Sequence, residues 1–407
     1  MKVPIIRISF SEEDKRFINV KISEVLDSGI LTMGKYTREF EDLCCRFIGS
    51  RYAISTGNCT VAMEIIIRAL GIEGRSIIVP TNTFMATAYA VMQSGNRVVF
   101  ADSNRETLSL CPQDLRKRIN GDTAAVILVH IGGVVSPQYY EIKKICEENG
   151  LHLIEDCAHA FGCGIDGKKA GTLGAAGAFS FFPTKVVTTA EGGMITTDNK
   201  DIYNKARMIR NHGKNPDMGN RMSEFGYNYR LSEITAVIGV QQIRKAAQIV
   251  DARMEIAKIY DRLLADNGYV RPLSIPSNST STYYKYVVFL PEDNDRSGIK
   301  RTMQEKYQIS LTGEVYADLC HTEPVWQKYT YCGKLRNNGG KVDCARWPDC
   351  GCGDLQEGFP EAAYLSKHHI CLPLYPGMTE EECAYVVDSL LRTVKDMAAV
   401  STSTEGS

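Results

Sequence analysis

Apolar residues recur along this chain at two spacings, and the two spacings alternate. Ser11 to Asp14 forms a capping box, in which two side chains satisfy the free amides of a helix start, ahead of a helix of about 16 residues. Thr37 to Phe47 reads as a second helix ending near Gly49. Thr60 to Leu70 reads as a third that stops at Gly71, a residue free to take the left-handed turn that closes helices. Short apolar runs at Ser76–Val79, Arg97–Ala101, Ala124–His130 and Leu151–Glu155 have the length and make-up of buried strands. Ser136 and Pro137 open a helix before the last of these, and Gly150 closes it. Strands alternating with helices predict an α/β fold, with a mainly parallel sheet covered on both faces.

The pattern changes after residue 230. Leu231 to Gly268 reads as two long helices with no glycine after Gly239, a bridge between two units. Tyr283–Leu290 then reads as a strand and Arg296–Gln308 as a helix. A last helix begins at Thr379, where Glu382 completes another capping box. The expected organisation is a large unit over residues 1–250, a smaller α+β unit over 251–399, and a polar, aperiodic, disordered tail over 400–407.

Composition narrows the function classes. The 407 residues suit two or three domains, and 44% hydrophobic residues can fill a large core. The net charge of -1 and the lack of a basic patch point away from nucleic acid. No run of about 18 apolar residues predicts a membrane span. The first residues lack the apolar core of a signal peptide, so a cytoplasmic location is expected, with the 14 cysteines mostly reduced. Cys44, Cys45, Cys146, Cys157 and Cys371 sit in apolar runs and read as small buried hydrophobes.

The candidate chemistry lies between Leu151 and Met194. A buried strand ends in Glu155-Asp156, His159 follows, and Ser180 and Lys185 occur in Ser180-Phe-Phe-Pro-Thr-Lys185, ahead of Glu191-Gly192-Gly193. A pyridoxal-phosphate (PLP) site needs these types: an amine for the aldehyde, an acid to keep the ring nitrogen protonated, and donors for a phosphate. Strand ends are where open α/β sheets place ligand groups. Taken alone, an aspartate after a strand is commonly a turn residue, and a lysine after Pro-Thr is commonly solvated. The spacing does not separate those readings.

Seven ordered segments resemble the DegT/DnrJ/EryC1/StrS family, the sugar aminotransferases of PLP fold type I. They are Thr56–Ala62, Val79–Phe84, Ile154–His159, Ser180–Lys185, Arg210–Gly213, Gly226–Glu233 and Leu372–Gly377, spread over nearly the whole chain. The resemblance implies a PLP cofactor held by Lys185, which then serves as the general base moving protons at the reacting carbon. It implies Asp156 at the ring nitrogen, His159 near the ring and its phenolic oxygen, and Phe84 on the ring face. It assigns Ser180, Thr60 and the backbone at Cys59 to the phosphate. Asn228 would reach the phosphate of a neighbouring subunit, implying a homodimer with shared active sites. The implied reaction moves an amino group from L-glutamate or L-glutamine to a keto-sugar, expected to be nucleotide-linked. A cyclitol ketone or a nucleotide-free keto-sugar acid is the alternative acceptor, and a non-catalytic PLP-binding regulator the alternative class. Relatives with histidine in place of the lysine dehydrate their substrates, so Lys185 favours transamination.

Two departures stand out. Cys59 occupies a position where the family has glycine, which requires ordinary backbone angles there. His130-Ile131-Gly132-Gly133 lacks the usual aromatic after the histidine. The stretch Tyr331 to Phe359 looks longer than its counterpart and carries Cys332, Cys344, Cys350 and Cys352. Four thiolates could hold zinc, but the spacing has no C-x2-C knuckle, so an exposed loop with free thiols and no metal is expected. His321, just before it, is a candidate substrate contact.

Overall fold

The computed structural model describes residues 1–330 and 358–404, with side chains described up to residue 397. The four cysteines of the 331–359 stretch therefore lie outside the described residues.

Seven strands form the main sheet: β1 (Tyr52–Thr56), β2 (Ser76–Pro80), β3 (Arg97–Ala101), β4 (Thr123–Val129), β5 (His152–Asp156), β6 (Ala176–Ser180) and β7 (Gly193–Thr197). Their order across the sheet is β1-β7-β6-β5-β4-β2-β3. Neighbours run parallel except at β7, which is antiparallel to both β1 and β6. The expected α/β class and mainly parallel sheet are thus present. Strands β2 and β4 are almost wholly buried, which is why they read as unbroken apolar runs.

Local signals placed the helices well. Helix α1 (Glu12–Ser28) carries the Ser11–Asp14 capping box and ends at Gly29 in the left-handed region. Helix α2 (Lys35–Ile48) closes at Gly49. Helix α3 (Cys59–Ala69) opens on Asn58, whose side chain accepts from the Val61 amide. Helices α4 (Met85–Gln93), α5 (Pro112–Arg118), α6 (Tyr139–Glu148) and α7 (Lys200–Arg210) complete the cover. The predicted pair of long helices is α8 (Glu233–Arg244) and α9 (Ala246–Leu263). Val250 of α9 packs in the core beside the main sheet, while Ile256 and Tyr260 pack in a second core.

That second core surrounds a three-stranded antiparallel sheet, β8 (Arg271–Pro272), β9 (Tyr286–Phe289) and β10 (His369–Leu372), in that order. Helices α10 (Arg296–Tyr307), α11 (Pro360–His368) and α12 (Glu380–Thr404) follow in the same part of the chain. The Thr379–Glu382 capping box forms at the start of α12, through reciprocal bonds of 2.9 and 3.1 Å. Val3 also joins this core, because its backbone pairs with Gln308 and Ile309, so the first residues pack with the later part of the chain.

Three expectations need correction. The strand predicted over Tyr283–Leu290 is regular only over Tyr286–Phe289. Thr282 and Lys285 instead donate their amides to the Gly133 and Gly132 carbonyls, which draws this segment to the end of the main sheet. Residues 400–404 of the expected disordered tail continue α12, since serine and threonine can extend an established helix. Cys45 is only half-buried, whereas Cys44, Cys146, Cys157 and Cys371 are buried as expected.

His369 gives the second unit an acid-sensitive joint. Its Nε2 accepts from the Val315 amide at 3.1 Å, and its Nδ1 bonds the Leu365 carbonyl. Burial in this neutral role pushes its pKa down to about 4. A depressed folded-state value means that protons bind the unfolded chain more readily. The contribution is complete above the free-histidine value of 6.5 and is lost as pH falls through about 4. We expect a loss of up to about 3 kcal/mol across that window from this residue. Denaturant titrations from pH 7 to pH 4 check it: His369→Gln should show a shallower acid limb than wild type.

Candidate active site

The ends of β5 and β6 lie side by side, with Asp156 in register with Ala178, so Asp156 and Ser180 are delivered to one rim of the sheet. A cavity of about 460 Å³ opens there. Cys59, Thr60, Phe84, Asp156, His159, Ser180 and Lys185 all line it, so seven of the nine candidate residues are brought together.

Lys185 follows a turn closed by its own amide to the Phe182 carbonyl. Its Nζ lies 4.7 Å from the centre of the Tyr284 ring. Asp156 is buried, and one carboxylate oxygen accepts from Thr87 Oγ1 at 2.8 Å while the other accepts from the Ala158 amide at 3.0 Å. Burial pushes its carboxyl above the ordinary carboxylate range, against the pull of those two donors and of Lys185. A buried carboxylate with hydrogen-bonding capacity left over is a ready partner for a cation, such as a protonated ring nitrogen.

His159 is buried and neutral, because burial and the nearby Lys185 and Lys285 charges hold its pKa well below the usual value. Its Nδ1 accepts from the Gly132 amide at 3.4 Å, so the proton belongs on Nε2, which meets the Tyr316 hydroxyl at 3.1 Å. The His159 ring centre is 4.2 Å from that of Tyr284. Phe84 is 64% exposed and stacks at 6.3 Å on Tyr316.

The start of α3 forms another wall, through Asn58, Cys59 and Thr60. Free amides at a helix start attract anions. Cys59 is the first residue of α3, and its φ lies outside the left-handed region, so a side chain fits where glycine was expected. Gly193 closes against this turn: a Cβ there would lie 2.4 Å from the Asn58 carbonyl. The bare backbone of Gly193 therefore lets the start of β7 pack against this wall of the cavity.

Two candidates stand apart. His321 does not line the cavity; its Nδ1 bonds Thr81 Oγ1 at 2.6 Å and its ring rests 4.5 Å from Phe359. Asn228 also lies off this wall, in a backbone bridge to Asn211.

Several lining residues escaped the sequence reading: Thr87, Tyr284, Lys285, Glu314 and Tyr316. Thr87 could have been found, since it lies one helical turn after Thr83 of the recognised segment. Tyr284 and Tyr316 arrive from far along the chain with no local pattern to mark them. Among the described residues, one cluster has the makings of a metal site: His130, Glu155 and Cys157. Glu155 there accepts from His130 and from the amides of Gly171, Leu173 and Gly174. His130 Nδ1 accepts from the Ser136 amide, so Nε2 carries the proton and cannot also bind an ion.

Residues 12–338 match the DegT/DnrJ/EryC1/StrS aminotransferase family. This chain belongs to that family. It is a PLP-dependent aminotransferase of PLP fold type I. The GDP-perosamine synthase of Vibrio cholerae is 34% identical over 387 residues, covering 93% of this chain and 96% of that protein. A GDP-perosamine synthase of Escherichia coli O157:H7 is 29% identical over 391 residues, covering 95% and 97%. The structure of Helicobacter pylori PseC, an aminotransferase involved in the biosynthesis of pseudoaminic acid, superposes with a TM-score of 0.83 at 25% identity. That match covers 97% of this chain and 100% of PseC. No helix among the described residues is long and apolar enough to cross a membrane.

Proposed function

We propose that this aminotransferase moves an amino group from L-glutamate to a nucleotide-linked keto-sugar, in amino-sugar biosynthesis. The observation that carries the reading is the placement of Lys185, Asp156 and the start of α3 around one cavity. The sugar acceptor rests on the relatives, among them two GDP-perosamine synthases. When bound, the cofactor supplies an aldehyde that takes the amino group and a ring that withdraws electrons from the reacting carbon.

The chain's own residues do the rest. The Lys185 amine holds the aldehyde end and, once released by the donor, carries a proton to and from the reacting carbon. The buried Asp156 carboxylate keeps positive charge at the ring nitrogen, and Thr87 and the Ala158 amide hold that carboxylate in place. Amides at the start of α3, with Thr60 and Ser180, bind the phosphate. His159 and Phe84 confine the ring between them.

A second copy of the chain completes the site in this reading. Phe84 is 64% exposed although it lines the cavity, and Met222 and Phe225, at 70% and 72%, are bare in the stretch of chain just before Asn228. Asn228 then serves the neighbouring subunit's phosphate.

The test is a half-reaction. L-glutamate alone should bleach the visible band of the lysine-linked cofactor and release 2-oxoglutarate in an amount equal to the sites. A panel of nucleotide-linked keto-sugars, cyclitol ketones and keto-sugar acids should restore the band only with the first class. Co-expressed Lys185→Ala and Asn228→Ala chains should regain activity that neither has alone. No bleaching by glutamate would exclude the donor, and no rescue would exclude the shared site.

A further inference from the structure

The cavity carries a second lysine that the cofactor chemistry leaves idle. Lys285 lines the same wall as Tyr284, and its Nζ lies 5.2 Å from the centre of the Tyr284 ring that Lys185 also approaches. Its main chain is fixed by the bond from its amide to the Gly132 carbonyl. Its head group sits against Gly313: a Cβ there would lie 2.8 Å from Lys285 Nζ. Gly313 has a φ of +77°, so glycine suits that position twice over.

Among the described residues Lys285 has no partner of opposite charge, and its ammonium makes no ion pair and no side-chain hydrogen bond. The lining carboxylates are otherwise accounted for. Glu314, next to Gly313, pairs with Lys300. Asp156 is held by Thr87 and Ala158, and Glu191 is exposed at the rim. A partly desolvated ammonium without a counter-ion is costly, and a substrate anion relieves that cost.

We propose that the Lys285 ammonium binds an anionic group of the substrate, a carboxylate or a phosphate, in the part of the cavity beyond the cofactor. The proposal rests on the aminotransferase reading of the same cavity. With the cofactor bound, Lys185 is engaged at its aldehyde, Asp156 at its ring and the start of α3 at its phosphate. Lys285 is then the cation left facing the substrate space among the lining residues. Both half-reactions use this space, so one ammonium can serve the donor's carboxylate or the acceptor's diphosphate.

Lys285→Met keeps the length of the side chain and removes the charge. It should raise KM for L-glutamate in the first half-reaction roughly 10- to 100-fold with kcat little changed, as expected for a lost charge-assisted hydrogen bond. Lys285→Arg should restore most of that loss. The visible band of the bound cofactor and the melting temperature should match wild type, which separates the effect from misfolding. GDP and UDP, tested as inhibitors, read the other source. Weaker inhibition with unchanged glutamate KM places a diphosphate at Lys285, and the reverse places a carboxylate there. The inference is overturned if glutamate KM and both inhibition constants are those of wild type, or if only kcat falls. Should wild type fail to react with glutamate, the donor reading is lost, while the nucleotide inhibition still reports on Lys285.

Discussion

Lys185→Ala is expected to abolish turnover, with a loss of at least about 10³-fold. Positioned proton transfer alone contributes roughly 10²- to 10⁴-fold, and this substitution also removes the amine that holds the cofactor. The fold should survive, because Lys185 lies in a turn fixed by backbone bonds rather than by its side chain. Its loss relieves Tyr284 of one neighbouring charge. Burial alone would raise the Tyr284 hydroxyl, and the charges of Lys185 and Lys285, with hydrogen bonds from Thr184 and Lys185, bring it below its ordinary value. The purified variant should lack the visible band of the lysine-linked cofactor while binding the cofactor non-covalently through Asp156 and the start of α3. Adding methylamine should return part of the proton-transfer rate. A variant with the wild-type band and near-normal turnover would remove Lys185 from the mechanism.

Asp156→Asn is expected to cost about 10²- to 10³-fold in kcat, the range for losing one preorganised charge partner at a reacting group. The substitution keeps the shape of the side chain. The carboxamide oxygen can still accept from the Ala158 amide, and Thr87 Oγ1 can turn to accept from the carboxamide nitrogen, since it also lies 3.0 Å from Thr83 Oγ1. The protein without cofactor should be no less stable than wild type, because a buried carboxylate that burial already disfavours has become neutral. Stability held and turnover lost is the signature of a carboxylate retained for chemistry. Thermal melting without cofactor, with single-turnover rates with it, reads both. A variant that melts far lower and turns over normally once folded would mark Asp156 as a structural residue.

Much of this protein was legible in its residues because the relevant forces act locally. Ser11 with Asp14, Asn58 before α3, and Gly29 and Gly49 after their helices settle the ends of elements within a few residues. The unbroken apolar runs of β2 and β4 reveal strands buried on both faces. Asp156 and Lys185 were found because each lies within a segment whose resemblance is continuous in the chain. The regular strand foreseen over Tyr283–Leu290 was wrong at its start, because the bonds from Thr282 and Lys285 to the Gly132–Gly133 loop are invisible to any local pattern.

The sequence by itself determined the alternation of helix and strand, the family, and the lysine and aspartate at the centre of the site. Only the tertiary structure decided what surrounds them. It set Thr87 on Asp156, brought Tyr284 and Lys285 beside Lys185, and turned His321 away toward Thr81. The physical reason is distance along the chain. Capping and periodicity are fixed by neighbours three or four residues apart, whereas the substrate wall is assembled from segments that meet only when two separate cores pack together.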